Sequence, residues 1–237
     1  MSINRDYVEI AKDVKAAQQG DAAAMDRLLA DVQDPVYYTC LKILHSEAAA
    51  EDASQEILLN VFRKIKSLNN PAAYIGWVNR ITANYCKTYL SKKRHEIFLQ
   101  KDEDGKDPFA MFEQIDTENV PEKALDNAET RQMIVDLVSE LPDEQRMCVM
   151  LFYYDRMKTR EIADALDVSE GTVKSRLNYA RKALKEGVER CEKEQRINLH
   201  GLSPIPFIGY YLREGAAQSH SPITAQAVRA AAARAAA

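Results

Sequence analysis

Residues 158–185 read KTREIADALDVSEGTVKSRLNYARKALK, and the spacing of their apolar positions predicts two helices joined by a tight turn. Ile162, Ala163 and Leu166 mark one face of a short first helix. Val168 closes the turn, and Val173, Leu177, Ala180 and Leu184 recur at i, i+4, i+7 and i+11 on the second. Thr159 and Ser169 are both expected to act as N-caps, since a hydroxyl there accepts from an unpaired first-turn N–H. The second helix carries Lys174, Arg176, Arg181, Lys182 and Lys185, and no acidic residue falls between Thr172 and Lys185. An amphipathic helix with a purely basic free face, set behind a short helix and turn, has the form of a major-groove reader.

Outward from this stretch the composition is that of a helical globular chain. The 237 residues are 46% hydrophobic and 29% charged, with only eight glycines and eight prolines and no long strand-like alternation. The net charge of −4 argues mildly against a nucleic-acid partner, so the distribution of charge matters more than its sum. Residues 1–60 hold eleven acidic and five basic residues. Residues 61–101 hold nine basic and one acidic, and residues 100–130 hold ten acidic and three basic. Two basic surfaces separated by an acidic spacer are therefore expected.

The four cysteines, Cys40, Cys86, Cys148 and Cys191, are tens of residues apart and form no metal-ligand spacing. Neither structural zinc nor a disulfide framework is expected, and reduced thiols point to the cytoplasm. The opening MSINRDYVEIAKDVKAA is too polar for a signal peptide, and no apolar run reaches the ~20 residues of a membrane span.

Toward the N-terminus, residues 7–19 have helical spacing, and Gly20-Asp21 stops that helix and starts another. Residues 22–44 read as one or two helices, with Pro35 breaking or kinking the pattern. Residues 48–66, AAAEDASQEILLNVFRKIK, have a core stripe of Ala49, Ala53, Ile57, Val61 and Ile65, widened by Leu58 and Phe62. A second stripe, Asp52, Gln55, Glu56, Leu59 and Arg63, is polar except for Leu59. Pattern alone favours a solvated face; the sharper reading is a partner surface with one apolar anchor in a polar ring.

Residues 67–71, SLNNP, read as a loop, and 72–94 as a long helix in which Tyr74, Trp77, Tyr85 and Tyr89 alternate with Arg80, Lys87, Lys92, Lys93 and Arg94. Rings among cations beside an Asn-rich loop suit single-stranded nucleic acid, where bases stack and phosphates meet charge. The plainer alternative makes Trp77, Val78 and Ile81 core and Asn69 and Asn70 turn formers. Residues 96–130 read as an acidic linker with one short helical contact at Phe109, Met111 and Phe112. Residues 122–141 return to helical spacing, and Pro142, Asp143 and Glu144 suit the first turn of the helix leading to the helix-turn-helix.

With these blocks in order, residues 21–185 resemble a bacterial RNA polymerase sigma factor of the extracytoplasmic-function group, in the sigma-70 family. AEDASQEILLNVFRKI looks like that family's polymerase-binding helix, PAAYIGWVNRITANYCKTYLSKKR like its promoter-melting helix, and EIADALDVSEGTVKSRL like its DNA-reading helix-turn-helix. The resemblance implies an all-α chain of two small helical domains joined by an acidic linker, the second ending in the helix-turn-helix. The divisions would be 1–97, a linker at 98–124, 125–190, and an extension at 191–237.

The resemblance further implies that Asp52, Gln55, Glu56, Leu59 and Phe62 meet core RNA polymerase. The Asn69-Asn70 loop would capture a base flipped from the non-template strand of the downstream promoter element. Trp77, Arg80, Asn84, Lys87, Lys92, Lys93 and Arg94 would hold that strand or its phosphates. Thr172, Lys174, Ser175 and Arg176 would read the upstream element in the duplex major groove, with Arg181 and Lys182 on phosphates. An anti-sigma factor is an implied further partner, and no catalytic residue, metal or cofactor is implied. Two positions depart from the family's pattern: Asp167 replaces the usual turn Gly, and Thr88 stands where Asp is common.

The end of the chain lies outside the shared architecture. Leu202, Ile205, Phe207, Ile208, Tyr210, Tyr211 and Leu212 form an apolar patch read as folding back on the chain's own domains, with docking on a partner as the alternative. The final AVRAAAARAAA has high helix propensity but no apolar stripe, and is read as frayed or disordered.

Other function classes account for less. A stand-alone helix-turn-helix regulator explains the second half and leaves residues 74–94 without a role. A scaffold explains the Asp52 stripe and leaves the recognition helix without one. An enzyme finds only His45, His95, His200 and His220, with no glycine-rich phosphate loop and no nucleophile motif.

Overall fold

A computed structural model describes residues 5–97, 128–195, 208–217 and 219–236. The acidic linker, with Phe109, Met111 and Phe112, and the tail residues Leu202, Ile205 and Phe207 lie outside the described residues. Ten α-helices and no strand occur among the described residues, divided into two units. One holds residues 1–93 together with 219–237, and the other holds residues 94–218.

The first unit is built on α1 (Tyr7–Gln18), α2 (Ala22–Leu44), α3 (Glu47–Lys64) and α4 (Tyr74–Ile97). Asp6, Asp21 and Ser46 cap the first three, each side-chain oxygen accepting from a first-turn N–H. Of the one-helix and two-helix readings of residues 22–44, the structure takes the first, with Pro35 inside a single α2. Val32, Val36 and Cys40 are all fully buried on either side of it, so packing of the stripe outweighs the one lost backbone hydrogen bond. His45 ends the helix in the left-handed conformation, at φ 54°. Arg5 and Arg27 both donate to the buried Asp13 carboxylate, and Arg5 also reaches Asp31, which ties α1 to α2. Tyr74, fully buried at the start of α4, donates its hydroxyl to the Leu28 carbonyl at 2.9 Å.

The second unit holds α5 (Ala128–Glu140), α6 (Asp143–Val149), a π turn at Met150–Tyr154, α7 (Thr159–Leu166), α8 (Glu170–Gln195) and α9 (Ile208–Ala217). Pro142 is the N-cap of α6, one residue earlier than expected. Arg146 is buried under the end of α5, donating to the Leu141 carbonyl and pairing with Asp143. At Gly187, a Cβ would come within 2.6 Å of Leu137 Cδ2, so a larger residue there would push the Leu137 side chain aside. Gly209 is held more strictly, since a Cβ there would stand 2.9 Å from the Tyr153 carbonyl oxygen, a backbone atom.

The tail treated as one extension in the sequence is divided between the two units. Helix α9 buries Ile208, Tyr211 and Leu212 against α5 and the π turn. Helix α10 (Ala225–Ala236) packs on α3 and α2 of the first unit. Its ordering corrects the expectation of a frayed end. Val228 is fully buried and Ala232 nearly so, a stripe one valine wide whose small neighbours permit close approach. Burying that valine contributes on the order of 1.5–3 kcal/mol. The half-exposed Arg229–Asp26 ion pair adds at most about 1 kcal/mol.

Candidate nucleic-acid interface

The helix-turn-helix is set by its turn. Asp167 ends α7 at φ 54° and ψ 51°, the left-handed conformation in which the usual glycine would sit. Aspartate tolerates it better than most residues, so the substitution leaves the turn intact. The Val168 N–H donates to the Ala163 carbonyl at 3.1 Å. Ser169 caps α8 as expected, its Oγ accepting from the Thr172 N–H at 3.0 Å. Thr159 does not act as a cap. It is the first residue of α7, and its hydroxyl donates to the Glu170 carboxylate at 2.9 Å, pinning the start of one helix to the start of the next. The N–H of Lys158 is satisfied instead by the Glu161 carboxylate, at 2.8 Å.

The six residues assigned to duplex DNA differ in freedom. Lys174 is exposed at the first turns of α8, 3.0 Å from Glu170, whose carboxyl is held below its usual range by the hydrogen bonds from Lys174 and from Thr159. Thr172 and Ser175 are half-buried beside it. Arg176 is bound to Glu144 of α6 and braces the two helices. Arg181 is also engaged: its Nε donates to the Tyr153 hydroxyl at 2.7 Å, and its guanidinium lies within 5.8 Å of the ring centres of Phe152 and Tyr153. Lys182 extends into solvent at 4.0 Å from Glu186. Sequence reading missed the cations around the start of α7, although Arg156, Lys158 and Arg160 are three within five residues. All three are exposed, and Arg160 lies close enough to Glu170 to help hold its carboxyl down.

In the first unit, the side chains of Trp77, Arg80, Asn84 and Lys87 recur at i, i+3, i+7 and i+10, along one face of α4. Arg80, Asn84 and Lys92 are exposed, and Trp77 and Lys87 are half-buried. Val78 is core, while Trp77 and Ile81 stand at the edge of it. The Trp77 ring lies 6.4 Å from that of Tyr74, tilted by 40°. The Lys93 and Arg94 side chains lie outside the described residues.

The Asn69-Asn70 loop splits in role. Asn70 caps the short 3₁₀ turn at Pro71–Ala73, its Oδ1 accepting from the Ala72 N–H at 3.1 Å. Asn69 is exposed. Gln18, a residue the sequence did not single out, donates from its Nε2 to the carbonyls of Ile65 at 3.0 Å and Leu68 at 2.8 Å. That brace from α1 holds the entry to the loop while Leu68 is buried beneath it.

On α3, Asp52, Gln55 and Glu56 are exposed and Phe62 is half-buried. Leu59, expected to be the exposed apolar anchor, is 6% exposed. This corrects the sequence reading, and the reason is that α3 is covered on more than one side. Both α2 and α10 pack on it, and Tyr85 of α4 lies beside Glu56 and Asp52. The Tyr85 hydroxyl is raised by burial and then by those carboxylates.

Among the described residues no helix is long and apolar enough to cross a membrane, and no group of three metal-ligating side chains occurs.

Comparison with known proteins covers both units. Residues 28–96 match the family model described as Sigma-70 region 2, and residues 131–184 match the one described as Sigma-70, region 4. The ECF RNA polymerase sigma factor SigW of Bacillus subtilis is 29% identical over 178 residues, covering 75% of this chain and 95% of its own. The ECF RNA polymerase sigma-E factor of Haemophilus influenzae is 26% identical over 180 residues, covering 74% of this chain and 93% of its own. The solved structure of CnrH in complex with the cytosolic domain of CnrY shares the fold, with a TM-score of 0.51 at 15% identity over 77% of this chain and 98% of that one.

Proposed function

The chain belongs to the extracytoplasmic-function group of the sigma-70 family, and from that premise we propose how its residues divide the work of starting transcription. It is a sigma factor that binds core RNA polymerase and directs it to promoters. The observation that carries the assignment is the pairing, in one chain, of a region 2 unit with a region 4 unit.

In the region 4 unit, Lys174, with Thr172 and Ser175, reads the upstream element in the major groove. Lys182 and the cations Arg156, Lys158 and Arg160 hold phosphates, which fix register without reading sequence. Arg176 and Arg181 act first as braces for the helix that carries Lys174, an assignment supported by their bonds to Glu144 and Tyr153. In the region 2 unit, Arg80, Asn84, Lys87 and the Lys92-Lys93-Arg94 run take the melted non-template strand, and Trp77 offers a ring for stacking. Asn69, on the loop braced by Gln18, receives the flipped base, and Asn70 shapes that loop. Base capture offsets unstacking, which costs a few kcal/mol per base.

Asp52, Gln55, Glu56 and Phe62 form the polymerase face, with Leu59 supporting it from beneath. The acidic 98–124 segment links the two domains and repels DNA between their basic surfaces. The factor performs no catalysis of its own and works in the cytoplasm, where polymerase and promoter meet. An anti-sigma factor is a further partner to be sought.

Run-off transcription by core polymerase, with and without the purified protein, tests the reading on a genomic promoter library. Initiation that depends on the protein at a defined subset of promoters is expected. Initiation indifferent to it everywhere would remove the assignment.

A further inference from the structure

Helix α10 lies along α2 in a fixed direction. The Ser221 N–H donates to Asp34 Oδ1 at 2.8 Å, while Arg229 pairs with Asp26 and reaches toward the Ala22 carbonyl at 3.4 Å. The segment 219–236 therefore runs back along α2, from its middle toward its start. Asp26, Asp34 and Tyr37 share one face of α2, being i, i+8 and i+11. Tyr37 in turn sits near Glu47 and Glu51: burial raises its hydroxyl, and those two carboxylates raise it further. So the face of α2 that carries α10 turns toward the Glu51 side of α3, and α10 packs on α3 as well.

From Glu51 the helical period of α3 runs through Gln55, Leu58 and Phe62. Leu58 is fully buried on that line, while Glu51 and Gln55 are exposed and Phe62 is half-buried. The opposite edge of the polar stripe, at Asp52 and Glu56, is flanked by Tyr85 of α4. Helix α10 thus occupies the α2/α3 seam on the side where Gln55 and Phe62 emerge.

We propose that residues 219–236 are a built-in plug at the edge of the polymerase face: α10 lies in the α2/α3 seam and leaves Gln55 itself exposed, and core RNA polymerase must displace it to close over the Gln55–Phe62 line. The proposal rests on the reading of Asp52, Gln55, Glu56 and Phe62 as the polymerase face. The seat is suited to displacement. Its apolar contact is one valine and small alanines, its ion pair is half-exposed, and a helix of 12 residues has little stability once lifted off. The seam also selects its occupant by chemistry, because Asp26 and Asp34 line it with negative charge that Arg229 and the Ser221 N–H answer.

The test uses full-length protein titrated with core polymerase. Val228→Asp places a charge at a fully buried contact and lifts α10 off, with circular dichroism checking that the rest of the chain stays folded. About tenfold tighter binding is expected, since apparent affinity scales with the fraction of chains whose face is free. In a second protein, Ser221→Cys and Asp34→Cys on a Cys191→Ser background join the segment to α2 by a disulfide. Binding should fall when it is oxidised and recover on reduction. Wild type, Val228→Asp and the oxidised pair binding equally would overturn the plug and leave the polymerase face standing. If Gln55→Arg added to Val228→Asp leaves binding untouched, or no form binds, the face itself is misplaced and the plug falls with it.

Discussion

Arg176 of the recognition helix is bound to Glu144 of α6, 32 residues earlier in the chain. Its register beside Lys174 suggests a base reader, yet its guanidinium holds two helices of the same unit together. Lys174, two residues before it, is exposed and pairs with Glu170 on its own helix. The two cations should therefore fail differently. Lys174→Ala is expected to weaken binding to the upstream element by ~1–3 kcal/mol with no change in melting temperature. Arg176→Ala should lower the melting temperature of the unit as well as its affinity. Footprinting beside thermal melts separates them, and equal melting temperatures would return Arg176 to base reading.

Gln18 is far from any basic surface in sequence, but it holds the Ile65 and Leu68 carbonyls at the entry to the Asn69 loop. Gln18→Ala removes two hydrogen bonds of about 1 kcal/mol each. Loss of strand opening with retained duplex binding is expected, read by permanganate reactivity of the downstream element. Unchanged opening would mean that the loop keeps its shape without the brace.

Leu59 and Gln55 stand one helical turn apart on α3, one buried and one exposed. Leu59→Asp buries a carboxylate without a partner and should unfold the first unit, at a cost of several kcal/mol. Gln55→Arg should leave the folding stability within about 0.5 kcal/mol of wild type and still reduce polymerase capture. A folded Leu59→Asp protein would show that the site opens to water.

Asp13 carries a pH dependence. Hydrogen bonds from Arg27 and then Arg5 outweigh burial and hold its carboxyl below the usual range. A depressed carboxyl contributes stability above its unfolded value and loses it as pH falls through the folded one. Asp13→Asn should thus cost about 2–3 kcal/mol near neutrality, with the gap to wild type closing below about pH 4. Urea melts across that range would detect it, and a constant gap would place the cost in packing.

Cys148 is buried in α6, and its thiol is pushed up to about 11 by that burial, against the opposing influence of Arg176. Cys191 is half-exposed near the end of α8. At about pH 8, iodoacetamide should modify Cys191 and spare Cys148, with peptide mass mapping as the readout. Equal labelling would show that α6 opens readily.

The helices of both units are legible in the sequence because the 3.6-residue period and the caps are local. Val173, Leu177, Ala180 and Leu184 announce the recognition helix, and Ser169 caps it in the structure as its position suggests. The motif blocks likewise carry the family, since they are strings of neighbours. What only tertiary structure decides is which of those side chains remain available. Arg176 and Arg181 are held by residues about thirty positions away, Leu59 lies beneath a packed face, and the alanine-rich end finds a seat on α2 some two hundred residues earlier. A helical period records which way a side chain points relative to its own axis. It carries no record of which distant helix arrives to cover that side or which carboxylate claims that cation, because both depend on contacts that close only when the chain folds.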